Sequence, residues 1–160
     1  MTTRADFSDE EWARLERAPI VAGMAISIAD PGGPIEAVKE SMAAIKTVTE
    51  AAQESDGSEL VEEVAKSTTA KAQKRENPMG DFKPRGAMAG EEILGELRAV
   101  NELVTEKASP EEAAAFRQWL LTAAQRAAEA AKEGGFLGFN AERVSEGEQQ
   151  MLDKLREVLS

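Results

Sequence analysis

The feature that most constrains this chain is its helix punctuation. Three serines are each followed three residues later by a glutamate, at Ser8/Glu11, Ser109/Glu112 and Ser145/Glu148. This is the pattern in which a hydroxyl and a carboxylate reciprocally satisfy two backbone N–H groups at a helix start. In the second box Pro110 takes the first helical position, where its missing N–H removes no bond. The start near residue 109 is therefore the best defined of the three.

Apolar residues at helical spacing follow these starts. Trp12, Leu15, Pro19, Ala22 and Ile26 trace a first helix, and Pro19 inside it cannot donate to the carbonyl four residues back. The sequence accordingly predicts a helix kinked or split at Pro19, with segments near 9–18 and 19–29. A turn, Asp30-Pro31-Gly32-Gly33-Pro34, precedes a stripe of Ile35, Val38, Met42, Ile45, Val48 and Ala52 that reads as a long amphipathic helix to about residue 54. After Asp56-Gly57-Ser58, a weaker stripe of Leu60, Val61, Val64, Ala65, Thr68 and Ala72 runs toward Arg75. Two prolines and two glycines between 76 and 87 predict a long, flexible loop without regular structure. Ile93, Leu94, Leu97, Val100, Leu103 and Val104 then mark a helix ending near Lys107, with Gly95 its weak point. Phe116, Leu120, Ala123, Ala127 and Ala131 line a helix from Pro110 to about Glu133, stopped by Gly134-Gly135. Leu152, Leu155, Val158 and Leu159 belong to a last helix.

No run alternates as a strand does. Phe, Trp and Tyr together make only 4% of the chain while alanine supplies 28 residues, a mixture suited to close helix packing. The expected fold is all-α, a compact bundle of about six helices forming one domain over 1–160. Ser8 to Gly32-Gly33 and Ser109 to Gly134-Gly135 repeat the order cap, helix, double glycine; general helix grammar accounts for that echo, with duplication of a two-helix unit as the alternative.

Composition removes whole classes of chemistry. There is no cysteine, histidine or tyrosine. Disulfides, thiolate nucleophiles, Ser-His-Asp catalysis, His-ligated metals and the Glu-x-x-His di-iron motif all fall away, which leaves Asp, Glu, Lys, Ser and Thr as reactive groups. Nineteen basic against thirty acidic residues give a net charge of −11, unfavourable for nucleic acid and for anionic membrane surfaces. The longest apolar stretch, Ala18 to Ala29, is about a dozen residues against the ~20 that span a bilayer. Met1 to Asp6 lacks the charged-then-apolar pattern of a signal peptide, so a cytoplasmic protein is expected.

Three features are weighed as sites. Phe136, Leu137 and Phe139 sit among three glycines in Glu133 to Asn140, too apolar for a solvent loop; they read as a plug closing the core, with a partner-anchoring surface as the alternative. The stretch 66–85 carries a local charge of +4, which reads as cations pairing with the acidic body. Its alternative is an anion contact through Lys83 and Arg85, with Arg85 the better fork for a carboxylate or phosphate. Of the paired acids at Glu10/Glu11, Glu62/Glu63, Glu91/Glu92 and Glu111/Glu112, three pairs read as first-turn complements to helix dipoles, and sequence neighbours do not share a helix face; a hard-cation site from carboxylates brought together by the fold is the alternative, which nothing in the spacing marks. No cofactor and no metal site is expected, and no residue is assigned a catalytic role.

The segments Phe116-Arg117-Gln118-Trp119-Leu120-Leu121, Ala130-Ala131-Lys132-Glu133-Gly134-Gly135-Phe136-Leu137-Gly138-Phe139, Arg143-Val144-Ser145-Glu146 and Gly23-Met24-Ala25-Ile26-Ser27-Ile28-Ala29-Asp30-Pro31 together resemble a family of small, uncharacterised bacterial all-helical proteins. The resemblance covers most of the chain except about 50–80. It implies a cytoplasmic bacterial helical domain and carries over no catalytic residue. The expected function is a non-enzymatic interaction or scaffold protein, self-association included. A small-ligand or anion-binding protein, or a carboxylate- or metal-dependent hydrolase or lyase, stays open beside it.

Overall fold

A computed structural model describes residues 4–29, 42–50, 58–77, 79–80, 82–84, 88–132 and 146–160. A 3-10 turn, Arg4–Asp6, leads into α1, Asp9–Ala29; α2 follows at 42–50. Next come α3, Glu59–Gln73, α4, Ala89–Lys107, α5, Pro110–Lys132, and α6, Glu146–Val158. The protein is an all-α bundle of these six helices, with no strand among the described residues.

Helix α1 is the axle. It packs against α3, α4, α5 and α6, and Trp12, Leu15, Ala18, Val21, Ala22, Ala25 and Ile26 are buried around much of its circumference. A helix apolar on several sides is stable only when surrounded. That setting explains why Pro19 does not divide it: α1 is one helix from Asp9 to Ala29, not two segments. Proline costs about 3 kcal/mol in a helix interior, and each large apolar side chain buried around it returns roughly 1.5–3 kcal/mol. Leu15, Ala18, Val21 and Ala22 are fully buried on both sides of Pro19, so packing outweighs the lost bond.

The α1 start is locked as its sequence predicts. The Ser8 N–H donates to Glu11 Oε1 at 2.7 Å and the Glu11 N–H to Ser8 Oγ at 3.2 Å. At α5 the Glu112 N–H donates to Ser109 Oγ at 3.2 Å. Ser145 of the third box, and both double glycines, lie outside the described residues. At the α3 end, Glu76 N–H reaches Lys71 O at 2.9 Å and Arg75 N–H reaches Ala72 O at 3.0 Å, with Arg75 at φ 58°. This is a Schellman stop that places a side-chain-bearing residue where glycine is usual.

Helix α2 departs from expectation. Met42 and Ile45 belong to its apolar stripe, yet they are 64% and 51% exposed, whereas Ala44, Thr47 and Val48 are buried. The reason is the crossing with α1. A Cβ built on Gly23 would lie 2.9 Å from Ala44 Cβ and 3.9 Å from Ala127 Cβ, so α1, α2 and α5 converge at a point that only small residues fill. Large Met and Ile side chains do not fit there.

The 76–87 segment has no regular structure where described, but it is not free of burial. Met79 and Phe82 pack against the core. Arg17 lies between them and α4: its guanidinium stands 5.2 Å over the Phe82 ring, reaches Met79 O at 3.5 Å, and donates from Nη2 and Nε to Glu96 Oε1 at 2.8 and 3.1 Å. Among its described residues, an aromatic and a thioether side chain thus fasten this loop to the core, which the Gly, Pro and charge content obscured.

Candidate functional site

A cleft with polar walls opens between the N-terminal half of α1 and α3, about 600 Å³ in volume. Arg4, Asp9, Trp12 and Glu16 form one wall, and Glu63, Lys66, Ser67 and Lys71 the other. Periodicity puts them there: 12 and 16 are one turn apart on α1, and 63, 67 and 71 are successive turns on α3.

A hydrogen-bond chain runs along its floor. Trp12 Nε1 donates to Ser67 Oγ at 3.1 Å, and Ser67 Oγ donates in turn to Glu16 Oε2 at 3.1 Å. Lys71 Nζ pairs with Glu16 Oε1 at 3.2 Å. The Glu16 side chain is only 4% exposed, so the carboxylate is taken out of water with a cation and a hydroxyl in place of its hydration. Thr68 Oγ1 adds a bond to the Glu16 backbone carbonyl at 3.0 Å. At the mouth, Arg4 pairs with Asp9, lies 5.4 Å over the Trp12 ring, and gives its backbone N–H to Glu63 Oε2 at 3.2 Å. Lys66 pairs with Glu62 one turn back.

Within the basic run 66–85, Lys66 and Lys71 pair with carboxylates, whereas Lys74 and Arg75 are exposed with no ion pair to a described residue, the Arg75 backbone alone forming the α3 stop. Lys83 is exposed and makes no ion pair with a described residue. Arg85, Phe136, Leu137 and Phe139 lie outside the described residues. Of the paired acids, Glu10/Glu11, Glu91/Glu92 and Glu111/Glu112 occupy first turns of α1, α4 and α5. Glu62 and Glu63 diverge, one to Lys66 and one to the cleft. Glu11 also binds Lys107 Nζ at 2.7 Å; that bond, with the Ser8 N–H, holds its carboxyl below the usual carboxylate value. Among the described residues no group of three or more acids could hold a metal ion, and no helix is long and apolar enough to cross a membrane.

The interior carboxylates Glu16 and Glu96 are the residues that sequence reasoning passed over. Each is a single acid on a buried face whose cation lies on another helix, Lys71 of α3 for Glu16 and Arg17 of α1 for Glu96, so no local spacing joins acid to cation. The usable signal was Glu16 one turn after Trp12 on a helix otherwise buried there. A smaller groove of about 330 Å³ between α5 and α6 is lined by Gln118, Leu121, Thr122, Gln125 and Arg126 and their neighbours. Arg126 is held there by Glu50 of α2, which keeps the Glu50 carboxyl below its usual range. No protein family, curated protein or solved structure matches this chain.

Proposed function

We propose that the protein is a non-enzymatic interaction or scaffold protein that self-associates through the outer face of α2. The observation that carries this reading is the pair Met42 and Ile45, 64% and 51% exposed one turn apart on a helix whose other face is buried. Single exposed apolar residues are ordinary, but two large ones aligned on a helix form a contiguous patch of the kind that docks. A second copy suits it because a two-fold interface sets one patch against itself. The setting implied by the sequence resemblance is the bacterial cytoplasm.

Sedimentation velocity of the full chain tests this. With −11 charges on each copy, apolar association has to overcome repulsion, so the dimer is expected to tighten as salt rises. The double variant Met42→Glu/Ile45→Glu is expected to remain monomeric with an unchanged melting temperature. A wild-type monomer at every salt concentration up to about 1 mM protein, where an association of about 4 kcal/mol is already visible, overturns the reading.

A further inference from the structure

The α1–α3 cleft is independent of the α2 face, and its charges are ordered. Along α3 the lining residues are Glu63, Lys66, Ser67 and Lys71: an acid at one end and a cation at the other, with Ser67 between them and Lys66 engaged by Glu62. Glu63 and Lys71 are therefore about 12 Å apart along the helix axis, at 1.5 Å per residue. Across all eight lining residues three cations face three carboxylates. A ligand of one sign would meet as many like charges as opposite ones; a ligand with a charge of each sign, one at each end, meets both favourably.

We propose that this cleft binds a linear zwitterion, an unblocked short peptide, with its ammonium toward Glu63 and its carboxylate toward Lys71. The two ends have capacity. Among the described residues Glu63 accepts only the Arg4 backbone N–H, through Oε2, and four acceptor positions belong to a carboxylate. Lys71 spends one contact on Glu16 and has three donors. The Ser67 hydroxyl between them is oriented by Trp12 and Glu16 and keeps one further lone pair able to accept a peptide N–H. An extended tripeptide covers about 10 Å at 3.3–3.6 Å per residue, which matches the spacing once the Glu and Lys side chains lean inward. The volume, about 600 Å³, falls in the range of small-molecule sites.

The probe is triglycine, titrated into the isotopically labelled full chain and followed by NMR, beside glycine, N-acetyl-triglycine and triglycine amide. Saturable shifts at α1 and α3 are expected for triglycine, with each blocked form and glycine at least about tenfold weaker. Glu63→Gln should weaken triglycine about tenfold and leave N-acetyl-triglycine unchanged, because that form brings no ammonium to Glu63. Its fold should persist, since Glu63 holds only one backbone bond. The wild-type comparison of blocked and unblocked peptides needs no variant at all. Absence of saturation, equal binding of blocked and unblocked forms, binding of glycine as tight as triglycine, or a Glu63→Gln protein that binds triglycine normally overturns the proposal.

Discussion

Alanine placed at two glycines should move stability in opposite directions. Gly95 lies in the exposed interior of α4, and a Cβ added there meets no atom within 4 Å. Gly95→Ala therefore gains the full difference in helix propensity, about 1 kcal/mol, which for a chain of this size raises the melting temperature by about 2–4 °C. Gly23 receives the same propensity gain in α1, but its new Cβ would stand 2.9 Å from Ala44 Cβ, well inside the ~3.5–4.0 Å optimum for carbon pairs. Ala44 has no flexible end to swing aside, so α2 must shift bodily. Overpacking of this kind costs about 1–3 kcal/mol, which leaves Gly23→Ala neutral to about 2 kcal/mol less stable than wild type. Propensity cancels in the difference between the variants, and what remains, about 1–3 kcal/mol, is the crossing of α1 and α2 itself. Urea unfolding followed by circular dichroism at 222 nm, with equal m-values, measures it. A Gly23→Ala protein as stabilised as Gly95→Ala would refute the close approach and with it the explanation of why Met42 and Ile45 face outward.

Other perturbations test the helix ends and their charges. Ser8→Ala removes the cap oxygen that Glu11 N–H uses and should cost about 1 kcal/mol in the same assay. Arg75→Gly relieves a left-handed residue at the α3 stop and should stabilise by about 1 kcal/mol; a loss instead would mean that the Arg75 side chain makes a contact of greater worth. Glu11 and Glu50 both have folded-state pKa values below the usual 4.5, the first chiefly through the Lys107 hydrogen bond and the second chiefly through Arg126. Their stabilisation is thus complete above pH 4.5 and disappears as pH falls through the lowered values, so Glu11→Gln/Glu50→Gln should be less stable than wild type at pH 6 and converge on it along a flatter acid limb.

Much of this fold is written in local grammar. The Ser8/Glu11 box, Pro110 at the α5 start, and the line Ile93, Leu97, Val100, Val104 each depend on residues within a turn or two of one another, and each is found where its spacing places it. What escaped is what distant partners decide. Pro19 survives inside α1 because α3 to α6 surround it; the α2 face is chosen by a glycine on another helix; Phe82 is held by Arg17. The cleft was illegible for the same reason: Glu16 and Ser67 are neighbours only after α1 and α3 pack, and neither belongs to any short motif. Within the basic run, only the pairing of Lys66 with Glu62 was open to reading from helical spacing alone.

The central position of α1 also sets the order in which the chain can mature. The described helices that pack on α1 all follow it in the chain, and α5, with which it packs across Gly23, begins only at Pro110. At synthesis rates of about 5–20 residues per second, Val21, Ala22, Ala25 and Ile26 remain uncovered for several seconds on the ribosome. Nascent chains halted before α5 should therefore be the ones a ribosome-associated holdase protects, and release of that protection should coincide with the emergence of Phe116 and Leu120.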